Sequence, residues 1–255
     1  MDIQGNTILI TGGGSGIGRA LAEAFHARGN QVVIAGRRQA LLDETTAANP
    51  GMTSAVLDIE DPAAIVAFAE RIRREHPALN VVIHNAGIMR GEDARTSSVD
   101  TAEATITTNL LGPIRLNAAL IDHLLAQTKA TIMTVSSGLA FMPLALTPTY
   151  CATKAAIHSY SNSLRYQLKD TGVRVMELAP PYVQTELMGE HQKTDPNAMP
   201  LAEFIAEVMH LIETQPDAHE ILVERVKPLR FAEASGGFDA FFKQFNDHMA
   251  AARGS

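Results

Sequence analysis

The sequence predicts an α/β protein: a single doubly wound parallel sheet of about seven strands, flanked by helices. Three observations point there. Seven short runs rich in Val, Ile and Leu recur along the chain, they are near-continuously apolar, and stretches with helical spacing separate them. Strands covered by helices on both faces have no wet side, so they lose the polar alternation of an exposed sheet. Strand and helix in alternation is the pattern of a doubly wound sheet.

The first run, Thr7 to Thr11, leads into a glycine-rich turn and then into apolar residues at helical spacing from Arg19 to His26, with Gly29 as the expected C-cap. Gln31 to Ala35 and Ser54 to Asp58 are the next two runs. Asp61-Pro62 supplies an N-cap and a proline suited to the first helical position. Val81 to Asn85, Thr131 to Ser136, Arg174 to Leu178 and Ile221 to Val226 complete the strands. No linker, charge block or repeat divides the chain. One domain over 1–255 is therefore expected, with 187–200 as a lid segment and 230–252 as a C-terminal helical extension.

Composition narrows the function. A chain of 255 residues with 46% hydrophobic and 19% charged residues buries a core without disulfides, which excludes disorder and coiled coil. The 21 Lys and Arg against 28 Asp and Glu leave a net charge of -7, a poor counterion for a phosphate backbone, so no nucleic-acid partner is expected. Cys151 is the one cysteine, which excludes a disulfide framework or a thiolate metal site and favours a reducing compartment. No His, Cys and carboxylate grouping reads as a metal site. The N-terminus lacks signal-peptide regions, and no apolar run approaches the roughly 20 residues that span a bilayer. A soluble cytoplasmic protein without a membrane partner is the expectation.

Between the first strand and first helix stands Thr11-Gly12-Gly13-Gly14-Ser15-Gly16-Ile17-Gly18. Glycines permit a sharp turn, let backbone approach a pyrophosphate, and leave the N–H groups of a helix N-terminus facing the anion. An isolated turn of this kind reads equally well as a loop without ligand; its place at the first strand of a βαβ pattern favours a dinucleotide. The contacts expected are Gly12, Gly14, Ser15, Gly16, Ile17 and Gly18. This TGxxxGIG pattern resembles the short-chain dehydrogenase/reductase family, which implies a Rossmann-like fold.

The second strand ends in Gly36-Arg37-Arg38, where an acid would accept hydrogen bonds from the ribose hydroxyls of NAD. A guanidinium instead grips a 2'-phosphate, so NADP(H) is expected over NAD(H), with Arg37 and Arg38 as the grip. The competing reading is two arginines opening a solvated helix. The resemblance also implies that Asp58 bonds the adenine amino group, with Ile59 beside it, and that Asn85, Ala86 and Gly87 pass along the cofactor. Asp58 reads equally as a cap for the helix near Pro62.

Tyr150-Cys151-Ala152-Thr153-Lys154 places a phenol and an ammonium on one helix face. A cation beside a tyrosine is expected to lower its pKa toward the working range of a general acid-base. Alone, the pair reads as an exposed helical couple; after the glycine turn, the Asn-Ala-Gly strand end and Ser136-Ser137 it reads as a catalytic set. In the family the catalytic serine precedes the tyrosine by about a dozen positions, which selects Ser137 to orient a carbonyl, while Ser136 is expected to bond local backbone. Asn109 matches the family's helix asparagine, which supports a proton relay through water and the lysine; a purely structural role is the alternative.

After the sixth strand, Pro180-Pro181-Tyr182-Val183-Gln184-Thr185 resembles the family's PGxVxT, and Pro180, Val183 and Thr185 are carried over as cofactor contacts. Pro181 replaces the glycine and removes one N–H. The resemblance weakens after the seventh strand. Within the family, the His84-Asn85-Ala86-Gly87 and Ala179-Pro180-Pro181 segments look similar to DltE-type bacterial reductases.

The resemblance implies hydride transfer between a nicotinamide and a small-molecule carbonyl or alcohol, with Tyr150 as acid or base and Lys154 holding the nicotinamide ribose. A non-catalytic NADP(H)-binding regulatory or interaction protein competes, because fold does not fix activity. An epimerase or dehydratase using the same pair competes less well, since little chain remains after Thr185 for a larger substrate domain. The segment Leu139 to Leu146 reads as an apolar pocket wall or as sheet packing. His191 reads as solvated, and His84 and Cys151 as packing residues. The stripe Phe238, Phe241, Phe242, Phe245 and Met249 reads as a helix packed on its own domain before it reads as a subunit contact. By family analogy a homodimer or homotetramer is expected.

Overall fold

The structure, a computed structural model, describes residues 1–96 and 99–254. Seven parallel strands form one sheet: β1 (Thr7–Thr11), β2 (Gln31–Gly36), β3 (Thr53–Val56), β4 (Leu79–His84), β5 (Ala130–Val135), β6 (Val173–Leu178) and β7 (Glu220–Ile221). Their order is β3-β2-β1-β4-β5-β6-β7, the expected fold. The order reverses between β1 and β4, where a doubly wound sheet opens its ligand crevice.

Helices α1 (Gly16–His26), α2 (Gln39–Ala48), α3 (Pro62–Glu75), α4 (Val99–Ile106), α5 (Gly112–Leu125), α6 (Pro148–Gln167), α7 (Leu201–Thr214), α8 (Lys227–Arg230) and α9 (Phe238–Gly254) complete the chain. A π-helical turn, Thr107–Leu111, joins α4 to α5. Helix α3 shows how local sequence sets such an element. Asp61 accepts from Ala63 N and Ala64 N at 2.8 and 3.2 Å, Pro62 follows, and Ile65, Phe68, Ala69 and Ile72 bury one face.

Successive β1 residues point to opposite faces, which explains the unbroken apolar run. Ile8 and Ile10 join a core with Phe25 of α1 and Phe204 of α7, whereas Leu9 joins Phe68 of α3 and Leu120 of α5 on the other side. Fully burying one such side chain contributes about 1.5–3 kcal/mol. No helix among the described residues is long and apolar enough to cross a membrane.

Two expectations move. The seventh strand stops at Ile221, because Glu224 N donates to Glu207 Oε1 of α7 at 2.7 Å and the chain turns into a short 3-10 helix. Helix α1 begins at Gly16 and is capped by Ala27; Gly29, with φ +83°, makes the left-handed turn two residues later.

Candidate active site

The glycine turn lies between β1 and α1. Gly12 takes φ +69°, and a side chain on Gly18 would begin 2.3 Å from both Asn85 Nδ2 and Gly12 O. Only glycine meets both demands. Asn85 holds the turn to the end of β4: its Nδ2 donates to Thr11 O at 3.1 Å and Gly12 O at 3.3 Å, while Asn85 N and Ala86 N donate to Thr11 Oγ1, each at 3.1 Å. Asn85 therefore shapes the loop through its side chain.

The same turn passes a physical test for a pyrophosphate. The first turn of α1 contains no acidic side chain, and the Ser15 hydroxyl makes no cap hydrogen bond; it accepts from Arg38 Nη2 at 3.0 Å. The N–H groups of that helix end stay open to an anion. Gly14 and Ile17 are half-buried in the loop, and Gly16 faces Thr185, whose Cβ is 3.6 Å from where a side chain would start.

The two arginines part company. Arg37 Nη1 lies 3.0 Å from Glu60 Oε1, so its charge is already matched, while Arg38 stands by the glycine turn. Asp58 is exposed, and its Oδ1 accepts from Glu60 N at 3.0 Å in a local turn; the cap for α3 is Asp61. Ile59 is buried in the core beside Gly112.

On the far side of the crevice, the Asn109 amide is buried in the π-helical turn. Its Oδ1 accepts from Ile88 N at 2.8 Å, and its Nδ2 donates to Ile88 O at 2.9 Å and Thr153 Oγ1 at 3.3 Å. It clamps the loop after Gly87 onto α6. The Lys154 ammonium donates to Val135 O at 2.8 Å, at the end of β5.

Tyr150, Ser137 and Lys154 come together at that strand end. They are 6%, 8% and 5% exposed, and Lys154 Nζ is 5.5 Å from the phenol ring centroid. Ser137 Oγ accepts from Leu139 N at 3.1 Å. Burial raises the Tyr150 pKa, against a lowering by the neighbouring Ser137 hydroxyl and with a further rise from Cys151. Burial lowers Lys154 to about 8, opposed by Glu177. The expected lowering of the phenol by its neighbouring cation is thus reversed, because desolvation disfavours charge on both groups. The phenol keeps its proton at neutral pH, the state a general acid needs.

Ser136 also departs from expectation. Its hydroxyl donates to Oε1 of Glu177, a wholly buried carboxylate on β6, with a longer contact to Leu178 O at 3.5 Å. His158 Nδ1 lies 2.7 Å from Glu177 Oε2 and 3.7 Å from Glu220 Oε1, and Arg230 holds Glu220 through Nε and Nη2, each at 3.0 Å. His158, Glu177 and Glu220 offer atoms within 4.8 Å of one another, a grouping of metal-ligating types unseen in the sequence. Their lone pairs and charges are met by Ser136, His158 and Arg230, so the cluster reads as a buried ion-pair network. Two signals pointed to it: an acid inside the apolar sixth strand, and a histidine four residues beyond Lys154 on the same helix face.

The loop after β6 closes the site. Pro180 O accepts from Gly138 N at 2.8 Å. Buried Gln192, in the 187–200 segment, donates to Val183 O at 2.7 Å and Thr185 Oγ1 at 3.0 Å. That segment is also tied to the loop through Tyr182 OH, which donates to Asp195 Oδ2 at 3.0 Å. Leu144, Tyr150 and Cys151 form an apolar cluster on which Met89, Leu139, Leu146, Phe245 and Met249 pack. Leu139, Leu144 and Leu146 thus border the tyrosine, and Phe245 and Met249 of the C-terminal stripe pack on the same domain.

The sequence matches the short chain dehydrogenase family over residues 6–196. It is 40% identical over 254 residues to the uncharacterized oxidoreductase DltE of Bacillus subtilis (strain 168), covering 96% of this chain and 98% of that protein. The fold is similar to the closed form of a serine dehydrogenase complexed with NADP+, at 27% identity and a TM-score of 0.74, over 80% of this chain and 88% of that one. A short chain dehydrogenase/reductase from Burkholderia phymatum in complex with NAD shares the fold at TM-score 0.79 and 20% identity, over 91% of this chain and 92% of that one. The chain is an oxidoreductase of the short chain dehydrogenase family.

Proposed function

We propose that the protein is an NADP(H)-dependent oxidoreductase that interconverts a small-molecule carbonyl and its alcohol. Bound NADPH would supply the hydride that reaches the carbonyl carbon. In this direction Tyr150 gives its proton to the carbonyl oxygen, and Ser137 hydrogen-bonds the same oxygen. Lys154 binds the nicotinamide ribose and keeps a positive charge beside the phenol. Asn109, by fixing the Ile88 loop to α6, supports the relay that returns a proton to Tyr150. Oxidation reverses each step. The observation that carries this reading is the convergence of Tyr150, Ser137 and the Lys154 ammonium at the end of β5, all three nearly buried, with burial holding the proton on the phenol.

For the cofactor, Gly12, Gly14, Ser15, Gly16, Ile17 and Gly18 would hold the pyrophosphate. Asp58, Ile59, Asn85, Ala86 and Gly87 would line the adenosine and nicotinamide halves, with Pro180, Val183 and Thr185 closing over the latter. Preference for NADP(H) rests on Arg38 beside Ser15, with Arg37 free to join once it leaves Glu60. Relatives in the fold hold either nucleotide, NADP+ in one and NAD in another, so the choice lies with these side chains.

We read residues 1–255 as one catalytic domain, 187–200 as its lid and 230–252 as a helical extension. A net charge of -7 and a single buried thiol support small-molecule work in the cytoplasm, without nucleic acid or membrane. Tyr166 on α6 and Leu125 at the end of α5 are exposed at 70% and 42%, which supports a homodimer or homotetramer through these helices.

The test is NADPH oxidation over aldehydes, cyclic ketones, quinones and keto acids. Tyr150→Phe should lower kcat/KM at least ~100-fold while NADPH still binds. Full activity in that variant refutes the role of Tyr150, and tight NADPH binding without turnover on any carbonyl favours a binding protein.

A further inference from the structure

We infer that the substrate carries an extended uncharged apolar group beside its carbonyl, and that α9 supplies the wall, chiefly Phe245 and Met249, against which this group lies. The inference rests on the carbonyl reaction proposed above and names its substrate class. Tyr150 shares an apolar cluster with Leu144 and Cys151, and Met89, Leu139, Leu146, Phe245 and Met249 pack on it. A charged substituent laid against these five side chains would lose its water and meet no countercharge among them. An alkyl or aryl group would lose nothing.

The place of α9 over this shell is specific. Asn246, on the same helix face as Phe242 and Met249, accepts from Ala145 N through Oδ1 at 2.7 Å and donates to Pro143 O through Nδ2 at 3.1 Å. One amide therefore fastens the helix to the loop between Ser137 and Tyr150. Phe238, Phe241, Phe242, Phe245 and Met249 remain only half-buried, so this face still offers apolar area beside the cluster. Glu92, the nearby acid, is used elsewhere: its carboxylate accepts from Thr149 N at 3.1 Å and Thr149 Oγ1 at 2.7 Å. Arg90 is the exposed cation that follows Met89, and the Lys154 ammonium is already held by Val135 O at 2.8 Å, so a keto acid would have to draw on one of these.

The experiment measures kcat/KM with NADPH for straight-chain aldehydes from three to ten carbons, beside 2-keto acids of matched length. Each buried methylene should raise kcat/KM by up to about fourfold. In Phe245→Ala and Met249→Ala this rise should flatten, with NADPH affinity reporting that the fold and cofactor site survive. A second reading needs no turnover: decanamide, an unreactive carbonyl with the same tail, should raise Tm in the presence of NADP+, and less so in either variant. Rates flat with chain length, or faster on keto acids than on uncharged carbonyls, overturn the apolar class. Absence of all turnover with decanamide still bound would sink the oxidoreductase reading alone. Absence of both turnover and decanamide binding sinks the two together.

Discussion

His158 Nδ1 donates to Glu177 Oε2 across 2.7 Å, two helical turns beyond Tyr150 on the face that also carries Lys154. Asn162 Nδ2 lies 3.1 Å from the other ring nitrogen and donates to it, so the proton on Nδ1 is the one that faces Glu177. The contact ties α6 to β6. Through Ser136, the same carboxylate grips the end of β5, one residue before Ser137. A buried acid that serves no reacting atom thus sets the spacing between the serine and the helix that bears the tyrosine.

Removing that acid should be costly for stability. Glu177→Ala leaves the Ser136 hydroxyl and the His158 ring with only their longer contacts to Leu178 O and Glu220, a loss of about 1–3 kcal/mol for each. For a domain of this size that lowers Tm by on the order of 10 °C, and Glu177→Gln, which keeps an acceptor oxygen, should lose less. Calorimetry of the two variants checks this; an unchanged Tm in Glu177→Ala would mean that the network contributes nothing.

The pH profile of reduction should carry the lysine. Lys154 is lowered to about 8 by burial, so it is charged below that pH and neutral above it. A step that needs the ammonium beside Tyr150 should run at full kcat/KM below pH about 8 and decline above it. Because kcat/KM reports the free enzyme, this is the quantity to follow. A decline that begins only near the ordinary lysine value of 10.5 would contradict a desolvated ammonium.

Cofactor choice should depend on Arg38 more than on Arg37. Arg38→Ala removes the guanidinium beside Ser15 and should raise the KM for NADPH ~10- to 100-fold with little change for NADH, the value of a hydrogen bond to a charged group. Arg37→Ala should do less, because Glu60 already neutralises it. Equal affinity of the unaltered protein for NADH and NADPH would remove the preference altogether.

Acid stability should report His84. The ring is buried under α5, where Nε2 donates to Asn117 Oδ1 at 2.7 Å, and burial lowers its pKa from 6.5 to about 4. Between those values the unfolded chain binds a proton that the folded ring refuses. Stability therefore falls as pH drops through this window, by about 3 kcal/mol from this group. Urea midpoints at pH 7 and pH 4.5 should differ less in His84→Gln than in the unaltered protein; an identical difference would assign the loss to carboxylates.

What the sequence determined by itself was local. Runs such as Thr7 to Thr11 announce strands covered on both faces, Asp61-Pro62 announces the start of α3, and four-residue spacing puts Tyr150 and Lys154 on one face of α6. These follow from backbone geometry within a few residues, which is why the strands, the start of α3 and the shared face of Tyr150 and Lys154 were legible. The tertiary structure decided what depends on burial and on distant neighbours. Whether Lys154 lowers the Tyr150 pKa turned on desolvation, which no spacing reveals, and its sign came out opposite to expectation. Glu177 draws its partners from β5 and α6, Arg38 meets Ser15 across the turn, and Asn246 reaches Ala145 over 101 positions of chain. Contacts between segments so far apart exist only once the sheet has assembled, so the enclosure of Tyr150 by α9 is a product of packing.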